Sequence, residues 1–163
     1  MYKHKSILPI LFVAVLLWGC NKGGNLKPNS QSTGTAFSDT TFSNWEILGK
    51  DYPAVLTHFV NSHVPNTYLE ADNADLTQEI AILFNKRPPV NATYEVRDFE
   101  TTPTDTTCSI AVFYNNGDNT FFSGNAGVVT VTILKGKVTA YFSDVNVGGT
   151  GLKTDISGCL IEQ

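Results

Sequence analysis

The stretch GVVTVTILKGKVTAYF, residues 127–142, decides the fold of this chain. Its first half is almost entirely β-branched, and its second half places Val138, Ala140 and Phe142 at alternate positions. β-branched residues and a period of two are typical of strands with one buried face. Gly136 interrupts the pattern with a residue that favours turns. The stretch therefore predicts two strands joined by a hairpin.

Strand-like segments continue on both sides of this hairpin. Residues 154–161 form one towards the C-terminus. Before the hairpin, residues 108–114 alternate, and Asn116-Gly117 supplies the positive-φ positions of a tight turn that leads to a strand from Phe121. Earlier segments of the same kind, separated by Gly, Pro, Asn and Asp, cover residues 44–48, 52–60, 67–71, 79–84 and 93–99.

A short helix competes with a strand only in residues 79–84, an apolar run without a clear period. About nine strands at a spacing of 8–12 residues predict an all-β domain, either an antiparallel β-sandwich or a small barrel. Inward-facing Val, Ile and Phe positions suit either a filled core or a cavity, so the sequence leaves both architectures open.

The N-terminus has the composition of a secretion signal. Residues 3–5 give it a positive start, and residues 7–18 form an apolar segment shorter than the ~20 residues of a membrane-spanning helix. The segment LWGC, residues 17–20, resembles the lipobox of bacterial lipoproteins. That resemblance implies removal of the signal before Cys20 and diacylation of the Cys20 sulfur. An ordinary secretory signal with a chance cysteine is the alternative.

We therefore divide the chain into a signal peptide (1–19), a lipidated Cys20 with a flexible tether (20–43) and a β-domain (44–163). The tether is rich in Gly, Asn, Ser and Thr, a composition that cannot bury a core. Two or more acyl chains hold a protein stably on a bilayer. The expected location is the bacterial cell envelope, in the outer membrane, with the domain in the periplasm or at the cell surface.

The charge of the chain excludes one class of partner. It contains 11 Lys and Arg residues against 15 Asp and Glu residues, for a formal net charge of −4. Nucleic acids are bound by clustered basic surfaces, because their phosphates must be neutralised. We therefore expect no nucleic-acid partner.

Cys108 and Cys159 remain once Cys20 is assigned to lipid. Disulfides form and persist outside the cytoplasm, so these two cysteines are candidates for a bridge. The alternative is two separate buried thiols that act as small apolar residues. The sequence does not decide between them, because a bridge requires Cα atoms within ~7 Å.

The chain lacks a recognisable catalytic or metal-binding pattern. His58 and His63 lack the further ligands that a zinc site requires. Carboxylates of the kind that glycosidases use are scattered over predicted loops, and no serine lies in the nucleophile motif of hydrolases. We therefore predict no enzymatic activity, no metal and no cofactor.

Two short motifs indicate modification sites. Residues 39–41 and 105–107, both Asp-Thr-Thr, resemble the sites at which Bacteroidota O-glycosylate exported proteins. The resemblance makes Thr40 and Thr106 candidate O-glycosylation sites.

A wider resemblance covers about residues 45–160. The segment WEILGKDY, residues 45–52, resembles the opening of small uncharacterised lipoproteins of Bacteroidota, and residues 127–133, 136–142 and 156–158 resemble their closing strands. The resemblance implies a β-rich domain outside the cytoplasm and supplies no catalytic residues. Cys108 and Cys159 are not part of it.

The predicted function is a non-enzymatic binding or envelope-accessory module on a lipid anchor. Besides the membrane, its partner is a protein, a glycan or a small apolar ligand. The alternative is a lipocalin-like barrel that holds a small apolar ligand in its interior. An open interior favours the barrel that carries a ligand, whereas a sealed interior with an aromatic surface patch favours the binding module.

Overall fold

Ten β-strands and no helix make up the described part of the chain in the computed structural model, which covers residues 42–61, 66–114, 120–149 and 151–163. The all-β prediction is confirmed. In chain order the strands are β1 (Asn44–Ile47), β2 (Lys50–Asn61), β3 (Thr67–Asn73), β4 (Gln78–Phe84), β5 (Ala92–Val96), β6 (Thr107–Tyr114), β7 (Thr120–Ala126), β8 (Val128–Leu134), β9 (Lys137–Gly149) and β10 (Leu152–Ile161).

The strands form one sheet that closes into a ring, consistent with the predicted small barrel. Antiparallel pairs run from β9 through β10, β1, β2, β3 and β4 to β6. Two routes then join β6 back to β9. In the first, β7 pairs with both β6 and β9. In the second, β5 pairs with β6, β8 pairs with β9, and β5 and β8 pair with each other. Each of the ten strands is therefore paired on both sides.

The sheet differs from the predicted antiparallel arrangement at one place. β5 and β6 run parallel, with Glu95 opposite Thr107. Residues 97–106, which we call the crossover, connect these strands and lie along the outside of β6, where the Ser109 hydroxyl donates a hydrogen bond to the Asp98 carbonyl at 3.3 Å. A parallel pair needs such a connection, because a short hairpin reverses the direction of the chain.

The segment for which a helix competes with a strand forms β4. All of its residues except Glu79 are buried, and it is paired with β3 on one side and β6 on the other. A strand covered on both faces has a continuous apolar sequence without alternation. The ambiguous pattern of residues 79–84 therefore results from burial of both faces.

Large side chains fill the interior of the barrel. Trp45, Phe84, Phe122 and Phe142 are among the largest fully buried side chains, each at most 1% exposed. The rings of Phe84 and Tyr94 meet edge to face with centroids 5.0 Å apart. Such aromatic contacts stabilise a core beyond the area that they bury. The barrel therefore has an interior that its own side chains occupy.

Gly158 on β10 makes room for the Phe142 ring and for the neighbouring strand β1. A Cβ atom at this position would lie 2.7 Å from the Phe142 ring, 2.7 Å from the Asn44 carbonyl oxygen and 2.9 Å from the Trp45 Cβ. Cβ atoms do not approach other atoms so closely, so the position requires glycine. The close approach lets β1 and β10 pair directly over the aromatic core.

The candidate disulfide between Cys108 and Cys159 is not formed. Cys108 is a free thiol, fully buried, in the interior core opposite Phe84 on β4. Cys159 lies opposite Tyr141, which is 43% exposed on the outer face of β9. Since directly paired residues point to the same side of a sheet, the two cysteines face opposite sides of the barrel wall. Cys108 fits the alternative of a small buried apolar residue.

The N-terminal predictions fall on residues that the structure does not describe. The signal peptide, Cys20 and Thr40 lie before residue 42, outside the described part of the chain. β1 begins at Asn44, the first residue of the predicted β-domain. Among the described residues, no helix is long and apolar enough to cross a membrane.

Candidate ligand-binding groove

A groove of about 540 Å³ lies on the outer face of the barrel wall. Its volume falls in the range of small-molecule sites, ~300–1,000 Å³. We call it the outer groove. β7, the end of β9 and the start of β10 form its floor, and the crossover forms one wall. Its lining residues are Asp98, Phe99, Glu100, Phe121, Ser123, Asn125, Gly148, Gly149, Gly151, Leu152 and Lys153.

Three phenylalanine rings form an aromatic cluster at this groove. Phe121 on β7 meets Phe99 of the crossover edge to face, with ring centroids 5.6 Å apart. The ring centroid of Phe113 on β6 lies 5.0 Å from that of Phe121, and Phe113 is 46% exposed. Phe99 and Phe121 line the groove, so aromatic surface is accessible where a ligand would lie. An exposed aromatic patch on a folded domain commonly marks a binding site.

Glycine residues give the groove its floor. A Cβ atom on Gly149 would overlap the carbonyl oxygen of Phe121, so only glycine permits this approach of β9 to β7. Gly148 lies next to it, opposite Ser123 on β7. These two positions without side chains form the part of the floor that lies beside Phe121.

Some polar groups of the groove are held by hydrogen bonds within it. The Asp98 carboxylate accepts a hydrogen bond from the Glu100 backbone N–H at 2.9 Å, which fixes the turn of the crossover. The Ser123 hydroxyl accepts one from the Phe99 N–H at 3.4 Å and so ties the crossover to β7. The wall that carries Phe99 and Glu100 is thereby positioned against the strands.

Two charged groups of the groove remain available to a ligand. The Glu100 carboxylate and the Lys153 ammonium make no side-chain hydrogen bond or ion pair to any residue that the structure describes. Both residues are exposed, Glu100 in the crossover and Lys153 on β10. Charged groups form the strongest hydrogen bonds to polar ligands. The groove therefore combines aromatic rings with an unpaired carboxylate and an unpaired ammonium group.

An acidic cluster lies on the same outer face, on β3 and β4. One carboxylate oxygen from each of Glu70, Asp72 and Glu79 lies within 4.8 Å of the others. Burial raises the pKa of Glu79, and the charges of Glu70 and Asp72 raise it further. Glu79 is opposite Phe113 in the pairing of β4 with β6, so the acidic cluster borders the aromatic cluster.

The other residues singled out from the sequence do not lie together at one site. His58 lies on β2 opposite Glu70, away from the groove. Thr106 is exposed at the end of the crossover, a position that suits a modification site. Cys108 is in the interior. His63 belongs to residues 62–65, which the structure does not describe.

Sequence patterns did not indicate the groove, because four separate segments contribute to it. Residues 148–151 have the composition of a loop, yet Gly148 and Gly149 end β9 and form the floor. Phe121 follows the turn predicted at Asn116-Gly117, and its local sequence indicates only a strand. The parallel course of β5 and β6 brings Phe99 to Phe121, and no local pattern encodes that topology.

Comparisons of this chain with models of protein families, with curated proteins and with solved structures found no match.

Proposed function

We propose that this protein is a bacterial envelope lipoprotein, anchored by lipid on Cys20, whose β-domain is a non-enzymatic binding module. Its ligand binds in the outer groove. The observation that carries this proposal is the convergence of two aromatic rings, Phe99 and Phe121, with the unpaired charges of Glu100 and Lys153. Apolar surface with a few convergent polar groups is the usual composition of a ligand site.

The filled interior favours this proposal over the lipocalin-like alternative. A lipocalin holds its ligand inside the barrel, which requires small side chains or an open cavity there. In this chain Trp45, Phe122 and Phe142 occupy the interior and are at most 1% exposed. An apolar ligand would have to displace these rings, whereas the outer groove is open to solvent.

Amide NMR of the full chain, purified from membranes into lipid nanodiscs, tests the site. The probes are defined compounds of several classes: short oligosaccharides, short peptides, fatty acids and nucleotides. We expect at least one class to shift the amide signals of Phe121, Ser123 and Lys153 in a saturable way. Fatty acids that instead shift Trp45 and Phe142 would establish the lipocalin-like alternative, and binding remote from the groove would overturn the proposed site.

Replacement of the anchoring cysteine tests the membrane part of the proposal. The variant Cys20→Ala should move from the membrane fraction to the soluble fraction, because a diacyl anchor supplies most of the membrane affinity. Cys108→Ala is the matched control and should stay in the membrane fraction. A Cys20→Ala protein that still needs detergent for its release would show that another segment holds it there.

A further inference from the structure

We infer that the ligand of the outer groove is a neutral saccharide, which stacks on Phe121 and hydrogen-bonds to Glu100 and Lys153. This inference rests on the proposed function, since it names the ligand class of the same groove. Three properties of the groove support a saccharide ligand: the pairing of its strands, the chemistry of its lining and its balance of charge.

The pairing of the strands excludes one common mode of peptide recognition. An extended peptide usually binds a sheet by adding a strand to a free edge, where backbone groups supply most of the affinity. At Ser123, in the floor of the groove, β7 has no such free edge. Ser123 on β7 is opposite Ala111 of β6 on one side and Gly148 of β9 on the other. A ligand must therefore be recognised through side chains, without a backbone ladder.

The lining matches the two kinds of surface that a sugar ring presents. One face of a pyranose carries C–H groups, whose positive polarisation suits the negative face of an aromatic ring. Its rim carries hydroxyl groups that both donate and accept hydrogen bonds. Phe121 and Phe99 supply the aromatic surface. The Glu100 carboxylate accepts hydrogen bonds and the Lys153 ammonium donates them, so the two groups together serve a hydroxyl-rich ligand.

The charge balance favours a neutral ligand over an anionic one. Asp98 and Glu100 contribute two negative charges on the crossover side, and Lys153 contributes one positive charge on β10. The acidic cluster of Glu70, Asp72 and Glu79 adds negative charge on the same outer face. A phosphorylated compound or a uronic acid polymer would meet net repulsion. A fatty acid would also be disfavoured, because its carboxylate would be repelled and its alkyl chain would stay exposed to water in this open, half-polar groove.

Titration with defined oligosaccharides tests the inference, with the full chain in nanodiscs. The probes are short neutral oligomers of glucose, galactose, mannose and N-acetylglucosamine, compared with uronic acid oligomers and with peptides of similar length. Affinities come from calorimetry, and amide NMR maps the site. We expect at least one neutral oligomer to bind in the groove and the uronic acid oligomers to bind at least about tenfold more weakly.

Matched variants assign the contacts. Phe121→Ala should weaken binding about tenfold, as expected when a stacked ring is lost. Tyr141→Ala, which removes another exposed aromatic ring on the outer face, should leave the affinity unchanged. Glu100→Ala should also weaken binding about tenfold, whereas Glu95→Ala, an exposed acid outside the groove, should not. The Glu100 variant keeps the test valid if Phe121→Ala fails to fold.

The outcomes separate this inference from the proposed function. If only peptides or only anionic compounds shift the groove residues, the groove is a ligand site but the saccharide inference is wrong. If a neutral oligomer binds but shifts residues outside the groove, or if Phe121→Ala and Glu100→Ala both retain full affinity, the inference is also wrong. If no probe of any class shifts the groove residues, both the saccharide inference and the proposed ligand site are wrong.

Discussion

Arg87 and Glu162 form a two-pronged ion pair that joins the connection after β4 to the C-terminal end of the chain. Arg87 Nη1 lies 2.5 Å from Glu162 Oε1, and Nη2 lies 2.6 Å from Oε2. The same guanidinium donates to the Gly136 carbonyl at 2.8 Å and lies 4.6 Å above the centre of the Phe59 ring. One side chain thus ties three separate parts of the barrel end together.

The Arg87–Glu162 pair predicts a defined loss of stability in acid. Burial favours the neutral form of the Glu162 carboxyl, but hydrogen bonds from Arg87 and from the Val138 backbone N–H outweigh it and lower the pKa of Glu162. A carboxylate with a lowered pKa stabilises the fold above its unfolded pKa, and this contribution is lost as the pH falls through the folded pKa. At pH 7, Glu162→Gln should lower the free energy of unfolding by about 1–2 kcal/mol, a value reduced for the partial exposure of Arg87.

Urea unfolding at pH 7 and pH 3 checks this prediction. The difference between the wild-type protein and Glu162→Gln should be smaller at pH 3 than at pH 7, because protonation of the carboxyl in the unfolded chain already removes part of its contribution there. Lys86→Gln is the control, because its ion pair with Asp105 is exposed on both sides and should contribute little to stability. A difference that stays constant from pH 7 to pH 3 would show that the charge of Glu162 has no part in its effect.

Two hairpin turns carry residues that are unfavourable for their backbone conformation. Leu48 and Lys135 both have a φ of +53°, and each is followed by a glycine with positive φ. Asn is favoured over Leu and Lys in such turns, because its short polar side chain tolerates the left-handed region. Leu48→Asn and Lys135→Asn should each raise the free energy of unfolding by about 0.5–1 kcal/mol in urea titrations.

A control for the turn prediction introduces the same residue, Asn, outside a turn. Val128→Asn places the same residue at an exposed strand position and should lower stability, because Asn is disfavoured in strands. If Leu48→Asn also destabilises the protein, the exposed Leu48 side chain must make a contribution that outweighs the backbone strain.

The strands of this protein were predictable because their local sequence encodes them. The run 128–134 and the alternation of 137–142 give β8 and β9 directly, and the segment 108–114 gives β6. Ring closure, the parallel pairing of β5 with β6 and the position of the crossover depend on contacts between distant segments. A pattern of period two assigns each residue to a face but does not identify the neighbouring strand.

The same limit applies to the candidate site and to the cysteines. Cys108 and Cys159 both lie in strands, as expected, but only the register shows that one faces the interior and the other the outer face. Likewise Glu79 and Phe113 are distant in sequence and directly opposite in the β4–β6 pair. The expectation of no nucleic-acid partner needed no such knowledge, since charge and composition do not depend on register.

Gly158 should tolerate no larger residue. In Gly158→Ala, the new methyl group would meet the Phe142 ring and the Asn44 backbone at 2.7 Å, and the backbone cannot rotate away. Overpacking of this kind costs about 1–3 kcal/mol, so we expect the midpoint of urea unfolding to fall accordingly. Gly148→Ala is the control, because its methyl group would crowd only the movable amide of Asn125, while the Leu152 carbonyl oxygen lies at an ordinary contact distance of 3.6 Å. Equal losses in the two variants would contradict the assigned role of Gly158.

The environment of Cys108 predicts its chemical behaviour. The side chain is fully buried, and this burial raises the pKa of the Cys108 thiol to about 12, so almost no reactive thiolate exists at pH 8. In the native protein, iodoacetamide should therefore leave Cys108 unmodified, as read by mass spectrometry of its peptide. In denaturant, without any reductant, it should react completely, because a free thiol is exposed on unfolding. Resistance under those conditions would indicate a disulfide at Cys108, and rapid labelling of the native protein would show that this part of the core opens to solvent.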